Sequence, residues 1–437
     1  MPILAPFSRP LYVMAKPVGS LCNLQCEYCY YLEKKLLYAS NHIMDDRTLE
    51  EFIRQYIEAQ TLPQVLFTWH GGEPLMRPPS FYKRVMELQR KHARGHHIDN
   101  CLQTNGTLLT DDWCEFFRTN NWLIGISIDG PQELHDRYRR TPSPLSSLPT
   151  SLSSPPSPHS PLLSSFQKVM RGIRLLKKHG VEWNAMGVVN VLNADHPLDV
   201  YHFYKENGCQ YIQFTPVVER LLPHPDGRHL ASPTSTAAAT IAPYSVRPGQ
   251  YARFCCAIFD EWVRHDVGRV FIQLFDSTLA RWVGAEAGVC SMGETCGHAA
   301  VIEANGDVYS CDHFVFPEYR LGNIHTDTIT SMMYGERQRL FGQAKRTALP
   351  HQCQTCQWLF ACNGGCPKDR FVPADNPQPS TLNPQPSTLN TQPSTLNYLC
   401  QDYRQFFAHV APYMDFMKQE LLHQRPPANV MNSSLCK

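Results

Sequence analysis

The residues best suited to chemistry in this chain are its cysteines. Three of them share one short stretch, Cys22-Asn-Leu-Gln-Cys26-Glu-Tyr-Cys29. Three thiolates so spaced can hold three irons of a cubane [4Fe–4S] cluster and leave the fourth iron open to an outside ligand. A closed zinc site would need a fourth Cys or His from elsewhere. Eight more cysteines lie downstream: Cys290, Cys296, Cys311, Cys353, Cys356, Cys362, Cys366 and Cys400. Eight is two sets of four, and four thiolates complete a fully ligated [4Fe–4S] cluster. Two zinc sites remain open as the alternative. The other six, Cys101, Cys114, Cys209, Cys255, Cys256 and Cys436, receive no role, because free cysteine is commonly a small buried apolar residue.

Such thiols must be positioned by a scaffold, and 437 residues suggest two domains. A hydrophobic content of 43% with 18% charged residues suits a globular enzyme. With 40 basic against 39 acidic residues, there is no electrostatic case for nucleic acid or an anionic membrane. No apolar run reaches the roughly 18 residues a membrane span needs, and Met1 to Pro17 lacks the pattern of a secretory signal. The expected location is therefore the cytoplasm, where clustered cysteines hold metal more often than disulfides.

The first half alternates strand-like and helix-like segments. Candidate strands are Leu11–Lys16, Gln64–Trp69, Asp99–Thr104, Leu123–Ile128, Trp183–Val191 and Tyr211–Val217. Amphipathic stretches lie between them at Arg47–Gln60, Ser80–His92, Asp111–Asn120, Phe166–His179 and Leu198–Asn207. This rhythm predicts a parallel α/β sheet, open or barrel-like, with its ligand at the carboxyl ends of the strands. Gly71-Gly72-Glu73, Thr104-Asn105-Gly106 and Ser127-Ile128-Asp129-Gly130 all fall at such ends. After about residue 250 the rhythm is expected to stop, which places one domain at 1–250 and a second at 251–437. Two segments read as disordered insertions, the Ser/Pro/Leu-rich 142–165 and the repeat Pro-Gln-Pro-Ser-Thr-Leu-Asn within 376–397. His224–Gln250 is a weaker case of the same kind.

The triplet, with Tyr28 before its last cysteine, resembles the signature of radical S-adenosylmethionine (SAM) enzymes, and Gly71-Gly72-Glu73-Pro74 resembles their SAM-binding motif. The resemblance implies a partial (β/α)6 barrel in which SAM chelates the open iron. Glu73 and the Gly72 backbone would then take the SAM ammonium. Ser127 and a forked Arg139 would take its carboxylate, and Tyr28 and Val218 would contact the adenine. The block Cys353-x2-Cys356-x5-Cys362-x3-Cys366 resembles the SPASM domain, a twin-cluster module. That implies one auxiliary cluster on Cys290, Cys296, Cys311 and Cys366 and another on Cys353, Cys356, Cys362 and Cys400. Three [4Fe–4S] clusters and SAM are thus the implied cofactors.

Further segments are similar to those of anaerobic sulfatase-maturating enzymes: Met14-Ala-Lys-Pro-Val-Gly, Leu102-Gln-Thr-Asn-Gly-Thr, Ile126-Ser-Ile-Asp-Gly-Pro, Cys311-Asp312-His313, Arg320-Leu-Gly-Asn and Cys362-Asn-Gly-Gly-Cys366. The resemblance implies oxidation of a Cys or Ser in a sulfatase Cys/Ser-x-Pro-x-Arg motif to Cα-formylglycine, with Asp312 as the base. It also implies a sulfatase polypeptide as partner and a donor such as ferredoxin or flavodoxin. Two other readings stand beside it: a SPASM maturase that crosslinks a different peptide, and a non-catalytic iron–sulfur or zinc protein.

Overall fold

The structure, a computed structural model, describes residues 11–34, 43–142, 163–224, 227–233, 235, 238–375 and 395–436. Six strands carry the first half: β1 (Tyr12–Ala15), β2 (Gln64–Trp69), β3 (His97–Thr104), β4 (Leu123–Ser127), β5 (Trp183–Val189) and β6 (Tyr211–Pro216). They lie parallel and in sequence order, as right-handed strand–helix units require. Between them run α1 (Tyr30–Lys34), α2 (Asp46–Glu58), α3 (Pro79–His92), α4 (Asp111–Thr119), α5 (Gln132–Tyr138), α6 (Ser165–His179) and α7 (Pro197–Glu206).

Local chemistry sets these elements. Asp45 caps α2 by accepting from the Thr48 amide at 2.7 Å. Ser164 and Gln167 form a reciprocal capping box at α6, which ends on Gly180 at φ 63°. Along β2, Val65, Phe67 and Trp69 are buried while Gln64 and Leu66 are exposed, so one face of the strand meets the helices. That helix-side face meets Phe52, Tyr56 and Tyr82 in a core of edge-to-face and stacked rings.

The sheet runs on past residue 250. A three-stranded sheet forms first, from β7 (Arg220–His224), β8 (Gly227–Leu230) and β9 (Thr240–Ile241). The segment expected as a weak insertion, His224–Gln250, therefore contains strands, and its Ser232 donates to Glu318 at 2.6 Å. After α8 (Gln250–His265), β10 (Phe271–Ile272) adds in parallel to β6 and leads into α9 (Gln273–Trp282). On the other edge β11 (Ala299–Ile302) pairs in parallel with β1, followed by antiparallel β12 (Asp307–Tyr309) and β13 (Arg320–Asn323). The strand–helix rhythm thus continues beyond the expected break, and one ten-stranded sheet carries both halves.

Most of the two expected insertions lies outside the described residues. Their carboxyl ends are structured: Ser164 caps α6, and Thr395–Asn397 is a buried strand paired with Arg370–Pro373. That pairing returns the chain to the cysteine-rich region before the long helix Cys400–Leu422. Among the described residues no helix is long and apolar enough to cross a membrane.

Candidate active site at the strand ends

The triplet loop leaves β1 and is held from two sides. Gly72 and Glu73 donate their amides to the carbonyls of Gly19 and Leu21, each at 2.8 Å, so the glycine pair lies against the loop. A Cβ on Gly72 would stand 1.9 Å from the Leu21 carbonyl oxygen, and Gly71 sits at φ +111°; both positions need glycine. From the other side, Gln25 and Glu27 donate to the carbonyls of Arg140 and Tyr138 at 2.8 and 2.9 Å, which fixes the loop to the end of α5.

Cys22, Cys26 and Cys29 face one another. Burial pushes the Cys22 thiol up strongly and the Cys26 thiol to about 12, with Arg139 acting against that rise at Cys26. Iron would convert these thiols to thiolates with release of protons. The Leu24 amide and the Asn105 side chain already donate to the Cys22 sulfur at 3.4 and 3.7 Å. Soft donors with N–H groups aimed at sulfur suit an iron–sulfur cluster. Among the described residues no three His, Cys, Asp or Glu side chains converge on a point for a single ion. A cubane instead takes its thiolates at separate corners.

The residues implied for SAM surround this loop. Glu73 is fully buried, and burial raises its pKa to about 7 against the hydrogen bonds it accepts. Its Oε1 accepts from the Leu75 amide and the Thr104 hydroxyl at 2.9 and 2.7 Å, and its Oε2 from the Asn105 amide at 2.8 Å. Glu73 therefore ties the ends of β2 and β3 and keeps one acceptor site on Oε2. Ser127 accepts from Gln103 at 2.9 Å, leaving its own proton to donate.

Two of the residues implied for SAM have partners within the protein. The Arg139 fork closes on Asp129, with Nε and Nη2 at 3.0 and 3.1 Å from its two oxygens. Asp129 also accepts from the Tyr28 hydroxyl. With the fork taken, only the remaining N–H groups of Arg139 can meet another anion. The Val218 carbonyl accepts from Lys368 at 2.6 Å, which leaves one of its two acceptor sites and the Val218 side chain for an adenine.

Asp312 stands across the strand ends from the triplet and is not solitary. Its Oδ1 is 2.7 Å from the Lys16 ammonium, and its Oδ2 accepts from both Tyr30 and Tyr31. Lys34 donates to its backbone carbonyl at 2.5 Å, and Lys16 also pairs with Glu303 at 2.9 Å. Burial would raise the Asp312 carboxyl, but Lys16, Lys34, His70 and His313 hold it well below the usual range. Lys34 itself is lowered to about 8 by burial and by Lys16. His313 falls to about 3, again by burial first, so it is neutral beside Tyr30. Sequence reasoning missed Lys16, Tyr30, Tyr31, Lys34 and His70 here, and Asp129 behind Arg139. The signal was a lysine ending the first strand and two tyrosines directly after Cys29.

Downstream, the structure brings the eight cysteines into two groups. Cys366 faces Cys290, Cys296 and Cys311. Cys353 faces Cys356, Cys362 and Cys400. The second group lines a cavity of about 390 Å³ with Trp358, Asn397, Tyr403 and Phe407. Four thiols beside such space, as in the second group, fit cubane ligation.

A parallel strand–helix sheet with a three-thiol loop at its carboxyl edge and two four-thiol groups behind it defines a radical SAM enzyme with an iron–sulfur domain. Residues 17–204 match the radical SAM superfamily, and residues 290–357 match the iron-sulfur cluster-binding domain family. The chain is 59% identical to a serine-type anaerobic sulfatase-maturating enzyme of Bacteroides thetaiotaomicron, over 98% of this chain and 96% of that one. It is 32% identical to a cysteine-type enzyme of Clostridium perfringens, over 92% and 97%. The solved structure of native anSMEcpe with bound AdoMet and Cp18Cys peptide superposes with a TM-score of 0.76 at 30% identity, covering 94% of this chain and 100% of that one. This chain belongs to the anaerobic sulfatase-maturating enzymes, which convert a Ser or Cys of a sulfatase to formylglycine. Three [4Fe–4S] clusters and SAM are the cofactors of that chemistry.

Proposed function

We propose that this enzyme acts on the serine of a sulfatase Ser-x-Pro-x-Arg segment, with Asp312 as the group that takes the hydroxyl proton. The observation that carries this reading is the set of side chains gathered on Asp312 beside the triplet loop. The serine preference rests on the 59% identical serine-type relative.

In this reading Cys22, Cys26 and Cys29 hold the first cluster. SAM bound there supplies, on one-electron reduction, the radical that removes a hydrogen atom from the substrate β-carbon. Glu73 through Oε2 and the Gly72 backbone receive the SAM ammonium. Ser127 and the free N–H groups of Arg139 receive its carboxylate, and Tyr28 and the Val218 side chain bound the adenine. Loss of the β-hydrogen makes the remaining hydroxyl proton more acidic, which lessens the basicity asked of the accepting carboxylate. Lys16 keeps Asp312 ionised before transfer. Tyr30 and Tyr31 orient Oδ2 and can pass the proton onward as hydroxyl donors and acceptors. Loss of that proton, and of one electron that an auxiliary cluster would accept, completes the aldehyde.

The eight downstream cysteines hold the two auxiliary clusters in the groups described, and residues 251–437 form the second domain. A low-potential donor such as ferredoxin or flavodoxin reduces the first cluster. The working location is the cytoplasm, without nucleic acid or membrane as partner. Mass spectrometry of matched Ser-x-Pro-x-Arg and Cys-x-Pro-x-Arg peptides, incubated without oxygen with loaded enzyme, SAM and dithionite, tests this. Faster aldehyde formation on the serine peptide is expected. Aldehyde on the cysteine peptide alone would refute the preference, and deoxyadenosine without aldehyde on either would refute the substrate.

A further inference from the structure

Two buried cations stand at the downstream thiol groups: Arg370 faces both groups, and Lys345 faces the one that holds Cys290. Lys345 is fully buried and donates to the carbonyls of Cys290 and Ser291, both at 2.8 Å. Arg370 is 3% exposed and donates to the carbonyls of Lys345, Asn363 and Gly364 at 2.6, 2.9 and 2.9 Å. Arg370 thereby braces the turn between Cys362 and Cys366, whose two ends belong to different thiol groups.

Among the described residues, the hydrogen-bond partners of both cations are all backbone carbonyls. The neighbouring carboxylate, Asp369, is engaged by Lys368 at 3.0 Å. The ionisable groups the two cations face are thiols: Cys290, Cys296 and Cys366 for Lys345, and Cys296, Cys353, Cys362 and Cys366 for Arg370. A buried cation without a carboxylate is costly unless another anion compensates it. Thiolate-ligated clusters are such anions, and net charge and nearby hydrogen bonding are what set their potentials.

We propose that Lys345 and Arg370 form a cationic bridge that raises the reduction potentials of both auxiliary clusters, making each a better electron acceptor. Arg370 faces thiols of both groups and acts on both clusters, while Lys345 acts mainly on the one near Cys290. The proposal rests on the reading that the eight cysteines hold two clusters.

The test uses the full chain with Cys22, Cys26 and Cys29 changed to Ala, so that only auxiliary clusters contribute. Iron analysis comes first, and about eight irons per chain are expected. Their absence from this parent would overturn the cluster reading itself, and with it the proposal. A potentiometric titration followed by electron paramagnetic resonance then compares the parent with Lys345→Met and Lys345→Arg. Removing the charge is expected to lower the potential of one cluster by about 59 mV or more, a tenfold change in its reduced-to-oxidised ratio. Lys345→Arg should keep the parent's value. Cluster loss in Lys345→Met with retention in Lys345→Arg would support the same charge requirement. An unchanged potential in Lys345→Met, or equal effects of Met and Arg on potential or cluster content, would overturn the bridge. Arg370→Lys, which keeps the charge but not the fork, is expected to shift both potentials less than Arg370→Gln; equal shifts would confine Arg370 to bracing the turn.

Discussion

The strand-end site and the cysteine-rich region bury charge in opposite ways. At the strand ends Arg139 grips Asp129 and Lys16 lies between Glu303 and Asp312, while Lys34 donates to the Asp312 backbone carbonyl and lies over the Tyr30 ring. In the downstream region Lys345 and Arg370 are bound by carbonyls and face thiols. The first arrangement pairs Arg139 and Lys16 within the polypeptide itself, and in the proposed reading it frames substrate and SAM. The second is completed by its inorganic partners, so folding of that region is coupled to metal loading.

The contrast is open to attack by variants, beginning with the largest effect. Changing Cys22, Cys26 or Cys29 to Ala should abolish deoxyadenosine formation while leaving the downstream iron in place; loss of all iron would show that the two regions are not independent. Gly72→Ala should be nearly as severe, because its Cβ would strike the Leu21 carbonyl at 1.9 Å and displace the triplet loop. Gly95→Ala is its control: nothing lies within 4 Å, and the strained φ of +84° should cost only about 1 kcal/mol. Iron content and urea unfolding separate the two.

Arg139→Ala strands a fully buried Asp129 and should destabilise by about 3–5 kcal/mol, read by urea unfolding. If the frame is complete, iron chelation should change this loss little. Chelation should, in contrast, markedly lower the unfolding midpoint of the downstream region.

A pH-dependent effect concerns His135, fully buried next to the Arg139–Asp129 pair and held neutral by burial, with its pKa lowered to about 4. As pH falls below about 6.5 the unfolded chain binds this proton first, so stability is lost on acidification toward pH 4. His135→Leu should reduce that loss by about 3 kcal/mol, and an identical pH profile would remove His135 from the account.

Much of the scaffold was legible because the signals were local. Gln64–Trp69 alternates its faces, and Asp111 onward carries a capped amphipathic helix; both were read within a residue of their observed ends. α1 and α5 were not read, since five and seven residues offer no periodic face, and they are held by the triplet loop and the Asp312 cluster. β8 and β9 fall in His224–Gln250, read as a weak insertion, because a contact with residue 318, far along the chain, helps to place them. In the site, Glu73, Arg139 and Asp312 entered as residues the family resemblance implies. Their partners were hidden by distance in sequence: Lys16 lies 296 positions before Asp312, and no local pattern links them. The pairing of Arg139 with Asp129 was concealed differently, as both lay in motifs already quoted, but which anion fills a fork is decided by geometry.

The central claim is that Asp312 couples SAM cleavage to oxidation of the substrate, and it is tested by counting both products in one reaction. Wild-type enzyme and Asp312→Asn, each shown to carry its iron, are incubated with SAM, dithionite and the serine peptide, and 5′-deoxyadenosine and formylglycine are quantified together. The account predicts that Asp312→Asn still forms deoxyadenosine but loses most of its aldehyde. Aldehyde formed at the wild-type ratio to deoxyadenosine would contradict it and take the proton-accepting role away from Asp312.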